Sequence, residues 1–165
     1  MTRQMAAFAP MRIWMCLAAI CVLAAADARA QVRRPQAALT PSVAKVTAND
    51  AQLTVRVKLP DTIHVQSDKP RDPLFIPTAL TLQPPPGITL AGVTYPKASE
   101  LKQANVKEPL LVFGSDFVID ARVSIAADAP RGEVKIPGRL RYQACDEKMC
   151  YPPARAEVTW TVNVP

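Results

Sequence analysis

Cys145 and Cys150 are the residues of this chain best suited to chemistry, because two thiols can carry electrons by making and breaking one bond. They enclose four residues in the run Tyr142-Gln143-Ala144-Cys145-Asp146-Glu147-Lys148-Met149-Cys150-Tyr151-Pro152-Pro153. In a tight loop stopped by a double proline, that spacing can bring the sulfurs within reach of each other. Two readings stand. As a hairpin staple the bridge is weak, since closing so small a ring contributes only about 2 kcal/mol of loop entropy. As a redox centre the pair depends on thiolate, which positive charge or a helix N-terminus would favour. Asp146 and Glu147 oppose ionisation, Lys148 favours it, and no helix follows. Such a loop suits a disulfide that is attacked by a more reactive dithiol rather than one that attacks.

Other chemistries fit less well. Tetrahedral zinc takes four ligands, and only Cys145, Cys150 and the single histidine, His64, offer themselves. His64 reads as a surface or strand-end residue. A cysteine nucleophile of the protease kind needs a positioned base, and the sequence alone does not place His64 beside the pair.

The first thirty residues read as an export signal, to be set aside from the fold. Arg3 and Arg12 precede the uncharged apolar run Ile13 to Ala26, and Ala28-Arg29-Ala30 supplies small residues for cleavage near Ala30. The run is about 14 residues, short of the roughly 20 that span a bilayer. Cys16 and Cys21 would leave with it, and Met15 and Ile20 before them are not the small residues that precede a lipid-attachment cysteine. The expected product is a soluble periplasmic protein beginning near Gln31, in an oxidising space where a disulfide persists. The full chain carries a net charge of +6. The leader holds Arg3, Arg12, Arg29 and only one acid, Asp27, so the remainder is less basic. Without a basic stripe or interleaved aromatics, that balance is a solvated surface and not a nucleic-acid footprint.

The elements that must position the cysteines read as strands. Residues 31–41 are expected to form a flexible lead-in, and 42–165 a single domain. Leu53, Val55, Val57 and Leu59 alternate with polar residues, as do Phe117, Ile119, Ala121, Val123 and Ile125, and again Val158, Trp160, Val162 and Val164. That period of two marks half-buried strands. Leu140, Tyr142 and Ala144 form one face of the strand that enters Cys145. Shorter candidates are Ser42 to Thr47, Leu74 to Leu82, Ile88 to Tyr95 and Glu133 to Ile136. Seventeen prolines and breakers such as Pro84-Pro85-Pro86-Gly87, Pro130-Arg131-Gly132 and Pro137-Gly138 leave little room for helix. Only Lys97 to Val106 could hold two helical turns, and it lacks an apolar face. About eight short strands predict an all-β, two-sheet antiparallel sandwich, with an open barrel as the alternative.

The cysteine run resembles the signature of the N-terminal periplasmic domain of the bacterial thiol:disulfide interchange protein DsbD. The residues that carry the likeness are Tyr142-Gln143-Ala144-Cys145, an acidic pair, and Cys150-Tyr151-Pro152-Pro153. Upstream, Ile63-His64-Val65-Gln66-Ser67 resembles the family's strand end, Ile76-Pro77-Thr78 with Leu80 and Leu82 its next strand, and Val93-Thr94-Tyr95-Pro96 the strand that closes on a proline. The likeness runs over most of Val43 to Val164.

The resemblance implies an immunoglobulin-like fold and an electron relay. Cys150 would form the mixed disulfides and Cys145 resolve them, with no prosthetic group or metal. Electrons would come from a thioredoxin-like dithiol of a DsbD-type membrane reductase, and pass to disulfide isomerases and cytochrome c maturation thioredoxins. The family shields its pair with an aromatic cap, and Val112-Phe113-Gly114 best matches that segment. Phe113 is therefore either the lid or ordinary core, while Tyr142, Tyr151 and Pro152 shape the loop, Tyr142 being equally placed for core. The chain departs from the pattern in three ways. Its cysteine loop is one residue shorter, and Leu110 and Leu111 stand where the family has acids before the cap. It ends at Pro165 without the membrane and thioredoxin-like domains, so it is expected to work as a stand-alone exported domain with its donor on another polypeptide. The rival function is a non-catalytic sandwich that binds partners through an edge strand and keeps the disulfide as a clip.

Overall fold

In the computed structural model, residues 34–104 and 106–165 are described; the leader expected over 1–30 lies outside them. The described residues form eleven strands and no helix: β1 (Ala38–Val46), β2 (Asp50–Lys58), β3 (His64–Gln66), β4 (Ala79–Leu82), β5 (Ile88–Thr94), β6 (Ser99–Leu101), β7 (Leu110–Phe113), β8 (Asp116–Ile125), β9 (Gly132–Tyr142), β10 (Ala144–Cys145) and β11 (Ala154–Val164). Every pairing between them is antiparallel. One sheet runs β1-β2-β8-β5 and a second β11-β9-β4. Alternate residues of the long strands turn inward: Leu53, Val55 and Val57 of β2, Ile119, Ala121 and Val123 of β8, Ile136 and Leu140 of β9, and Trp160 and Val162 of β11 share one core. That alternation is what a sheet with one wet and one dry face imposes. Trp160 joins the layers, its indole N–H donating to the Thr54 carbonyl at 2.8 Å. The result is an immunoglobulin-like β-sandwich.

Pro137-Gly138, expected to end a strand, lies inside β9, which stays paired with β11 from Gly132 to Tyr142. The N–H and C=O of a strand residue face the same edge. The Pro137 carbonyl accepts from Gln83 N, just past the end of β4, so its missing N–H is lost from that edge and not from the β11 ladder. Gly138 is required by packing: a Cβ there would sit 2.7 Å from Trp160 Cζ3 and 2.8 Å from Leu82 Cδ2. The bend of sequence expected at this pair is therefore a seat for the core tryptophan.

Three further expectations change. Strand β1 begins at Ala38, inside the stretch read as lead-in, and pairs with β2 as far as Lys58. Pro35 and Ala37 are tied to the Tyr142 hydroxyl, which accepts from Ala37 N at 2.9 Å and donates to the Pro35 carbonyl at 3.3 Å. Leu74 to Phe75, read as the start of a strand, belong to the loop between β3 and β4. Pro70, Pro73 and Pro77 interrupt it, and the Asp72 carboxylate accepts from Leu74 N at 2.8 Å to form a local turn. Within Lys97 to Val106, read as the one stretch with room for helix, Ser99–Leu101 form β6 and the described residues hold no helix.

The third sheet positions the site. Its order is β10-β3-β7-β6, and its members continue the larger layers: β3 follows β2, β7 leads into β8, and β10 follows β9 after Gln143. Register then fixes which side chains share a face. Cys145 pairs with His64 and Ala144 with Val65, while Val65 pairs with Phe113 and Gln66 with Val112. Val65, Phe113 and Ala144 therefore point into the main core, and His64, Gln66, Val112 and Cys145 to the other face.

Candidate functional site

Cys145 ends β10 and is fully buried, whereas Cys150 is half-buried; a disulfide joins them. The intervening turn is closed by more than sulfur. Asp146 N donates to the Met149 carbonyl at 2.9 Å, and the Asp146 carboxylate accepts from Lys148 N and Met149 N, both at 2.8 Å, and from the Tyr151 hydroxyl at 2.9 Å. Partial burial pushes the Asp146 carboxyl up. The two backbone N–H groups, the tyrosine hydroxyl and the Lys148 charge together outweigh it and hold the group below the usual carboxylate range. Tyr151 is correspondingly raised, first by its bond to Asp146. The exit is anchored by Tyr151 N donating to the Ala144 carbonyl at 2.7 Å, ahead of exposed Pro152.

Around the sulfurs the packing is apolar. Leu101, Leu110, Val112 and Cys145 form a second small core, against which Phe75, Val106 and Cys150 pack. The β6–β7 connection clasps the cysteine turn: Ala104 N donates to the Glu147 carbonyl at 3.0 Å and Gln103 Nε2 to the Asp146 carbonyl at 2.7 Å. Arg71 ties the β3–β4 loop to the same rim through the Pro109 carbonyl at 2.7 Å and an ion pair with Glu100. Gln66 and Phe75 line a cleft of about 500 Å³ between these loops.

The expected site residues divide. Cys145, Cys150, Tyr151 and Pro152 are together. Tyr142 is not with them. It is fully buried in the main core, where burial raises its hydroxyl and the Ala37 N–H donation partly offsets that. Phe113, read as either lid or core, is core: it is 2% exposed, stacks on Tyr95 at 6.1 Å and meets Phe117 at 5.2 Å. The pleat turns it to the face opposite Cys145, and the aromatic packed on the disulfide's side is Phe75. Sequence reasoning missed Phe75 because it was read as strand.

It also left unplaced two residues that β3 brings to the face of Cys145. His64, which the sequence could not place beside the pair, is the strand partner of Cys145, and its buried Nδ1 has no hydrogen-bond partner among the described residues. Gln66 is fully buried, with Nε2 at 3.5 Å from Cys145 Sγ and 3.7 Å from Cys150 Sγ. The available signal was spacing: His64 and Gln66 are two apart on a strand, hence on one face. Among the described residues no group of three or more His, Cys, Asp or Glu gathers as a metal site would require.

Among the described residues, an antiparallel sandwich carries one cysteine pair in an end loop, one cysteine buried and one half-buried, a setting that suits a dithiol–disulfide couple. The chain belongs to the family described as thiol:disulfide interchange protein DsbD, N-terminal, whose family model matches residues 29–161. No curated protein sequence matches it. Among solved structures it is similar to the Neisseria meningitidis DsbD N-terminal domain in the reduced form, at 22% identity and a TM-score of 0.44, over 76% of this chain and 86% of that one. It is also similar to the N-terminal periplasmic domain of ScsB from Proteus mirabilis, at 12% identity and a TM-score of 0.52, over 81% of this chain and 49% of that one. The second likeness supports the fold. No helix among the described residues is long and apolar enough to cross a membrane.

Proposed function

We propose that this chain is a periplasmic thiol–disulfide exchange module that relays electrons between thioredoxin-like partners through Cys145 and Cys150. Cys150 is the exchanging sulfur because it is the one that a partner can approach; Cys145 is the resolving thiol. The reaction class is protein-disulfide reduction, and the dithiol is its only carrier. Residues 1–30 direct export and are removed near Ala30. The electron donor is a thioredoxin-like dithiol of a DsbD-type membrane reductase, and the acceptors are disulfide isomerases or cytochrome-maturation thioredoxins.

The observation that carries this reading is the disulfide's setting within a family of interchange domains. A purely structural clip would be the main restraint on its loop, yet here the turn is already closed by Asp146 and clasped by Gln103 and Ala104. These hydrogen bonds restrain the loop independently of the sulfur bond, so opening it need not release the turn. The test is capture. A Cys145→Ala variant is expected to hold a mixed disulfide through Cys150 with a thioredoxin-like protein from the periplasm. A bond with a reduction potential below about −300 mV, or a fold that collapses on reduction, would instead assign the disulfide to a clip.

A further inference from the structure

Gln66 is a fully buried carboxamide in an unusual electrostatic position. Its backbone is pinned on both sides: Gln66 N donates to the Gln143 carbonyl at 2.9 Å, and its own carbonyl accepts from the Thr78 hydroxyl at 2.6 Å. The side chain is thus held in place, yet Oε1 has no hydrogen-bond partner among the described residues. Among the described residues, the only acceptors that Nε2 approaches are the two sulfurs. A disulfide has lone pairs and no proton, so the carboxamide must turn its N–H side and not its oxygen toward it. Neutral disulfide sulfur is nonetheless a poor acceptor. Burying a polar group with so little return is unfavourable, unless another state of the site uses the donor better.

Opening the bond creates that state. A partner thiolate attacks Cys150 Sγ, a new partner–Cys150 disulfide forms, the Cys145–Cys150 bond breaks, and its electron pair leaves on Cys145. Cys145 is then an anion in a fully buried position walled by Leu101, Leu110, Val112 and Phe75. The nearby titratable groups are His64 across the strand pair and Asp146, Glu147 and Lys148 in the same loop, two of them acids. Gln103 Nε2 donates to the Asp146 carbonyl at 2.7 Å and lies 3.7 Å from Cys150 Sγ, so its second N–H serves the other sulfur and not Cys145. Among the described residues, Gln66 is the side-chain donor that reaches Cys145 Sγ, at 3.5 Å. Bonds to an ionised acceptor are roughly twice as strong as neutral ones, and a leaving thiolate departs faster the better it is stabilised.

We infer that the Gln66 carboxamide is a catalytic hydrogen-bond donor that receives the Cys145 thiolate released when the disulfide opens. The role rests on the proposed relay and adds a preorganised acceptor site for the departing charge, set before the reaction begins. When the partner's second thiolate then attacks the mixed disulfide, Cys150 leaves in turn. The protein ends as the dithiol, two electrons richer, and the partner as a disulfide. In the reverse direction, the same donor holds Cys145 as thiolate, ready to resolve the mixed disulfide.

The test compares wild type with Gln66→Leu, which keeps the side chain's bulk and removes the donor. Opening of the bond by dithiothreitol is expected to slow on the order of tenfold or more, and thiolate formation in the reduced protein to require a pH about one unit higher. Gln66→Glu, an acceptor in place of a donor, is expected to slow opening further. Should neither variant fold, the Gln66 side-chain amide protons of reduced wild type are expected to shift in NMR as the pH passes through the Cys145 thiol's titration. Equal rates and titrations in the variants, or amide protons indifferent to thiolate formation, would overturn the assignment. Dithiothreitol opens the bond whether or not thioredoxin-like proteins do. A wild type that answers dithiothreitol alone therefore sinks the relay and leaves the role of Gln66 to be judged separately.

Discussion

The two ends of this molecule are built on different terms. In the sandwich body, β8, β9 and β11 run ten or eleven residues each, and the core they enclose is closed by Trp160, Tyr142 and Phe113. In the third sheet, β3 has three residues and β10 only two. The buried polar residues of the described chain, Gln66, Ser67 and Thr78, all gather there. Ser67 N donates to the Leu111 carbonyl, Thr78 N to the Ser67 carbonyl and the Thr78 hydroxyl to the Gln66 carbonyl. Apolar area holds the first region and directional bonds hold the second. The difference teaches where chemistry can be afforded: a site that must change its bonding sits where stability depends least on one continuous apolar layer.

That contrast can be broken by substitution. Cys150→Ala should abolish exchange with any thioredoxin-type reductant, a complete loss in a turnover assay, while the urea midpoint of the sandwich stays close to that of reduced wild type. Phe113→Ala should do the reverse, lowering stability by about 3–5 kcal/mol in denaturant unfolding with little change in exchange rate. Its counterpart Phe75→Ala should leave the urea midpoint almost unmoved and make the disulfide open faster with small thiols. If Phe113→Ala accelerates opening and Phe75→Ala does not, the faces assigned to the two rings are wrong. Gly138→Ala forces a methyl against Trp160 and should cost about 1–3 kcal/mol, read as a lower midpoint with an unaltered site.

The smallest effect belongs to pH. The Asp146 carboxyl is held below its ordinary value in the folded turn, so its contribution is fully present above about pH 4, the unfolded value. It is lost as the pH falls through the depressed folded value. Amide exchange of Lys148 and Met149 should therefore quicken in acid before the body loosens, and Asp146→Asn should remove that pH dependence.

Much of the body was legible in the sequence because alternation of side chains is a local property. Leu53 to Leu59, Phe117 to Ile125 and Val158 to Val164 declare their inward faces without reference to any partner. The cysteine pair was legible for the same reason. What failed depends on pairing between distant segments. Phe113 and Val112 differ by one position, and only the register with Val65 and Gln66 decides which of them looks toward the sulfurs. His64 becomes a neighbour of Cys145 through a ladder between residues far apart in sequence. Pro137 reads as a breaker until the edge it faces is known. In the sequence Gln66 is only part of the strand end Ile63 to Ser67 and draws no role. A glutamine side chain announces no chemistry until its neighbours are known, here two sulfurs beside Nε2 and no partner for Oε1 among the described residues.

The Asp146 turn has one more consequence. Because it is shut by oxygen and nitrogen as well as sulfur, the turn carries restraints that do not depend on the disulfide, and the thiols of an opened form are expected to stay side by side. Each would then be present to the other at a high effective concentration, and in the proposed relay an adduct on Cys150 would be undone by a neighbour that stays within reach. A carrier made this way hands over its cargo after a brief touch, with no need to cling.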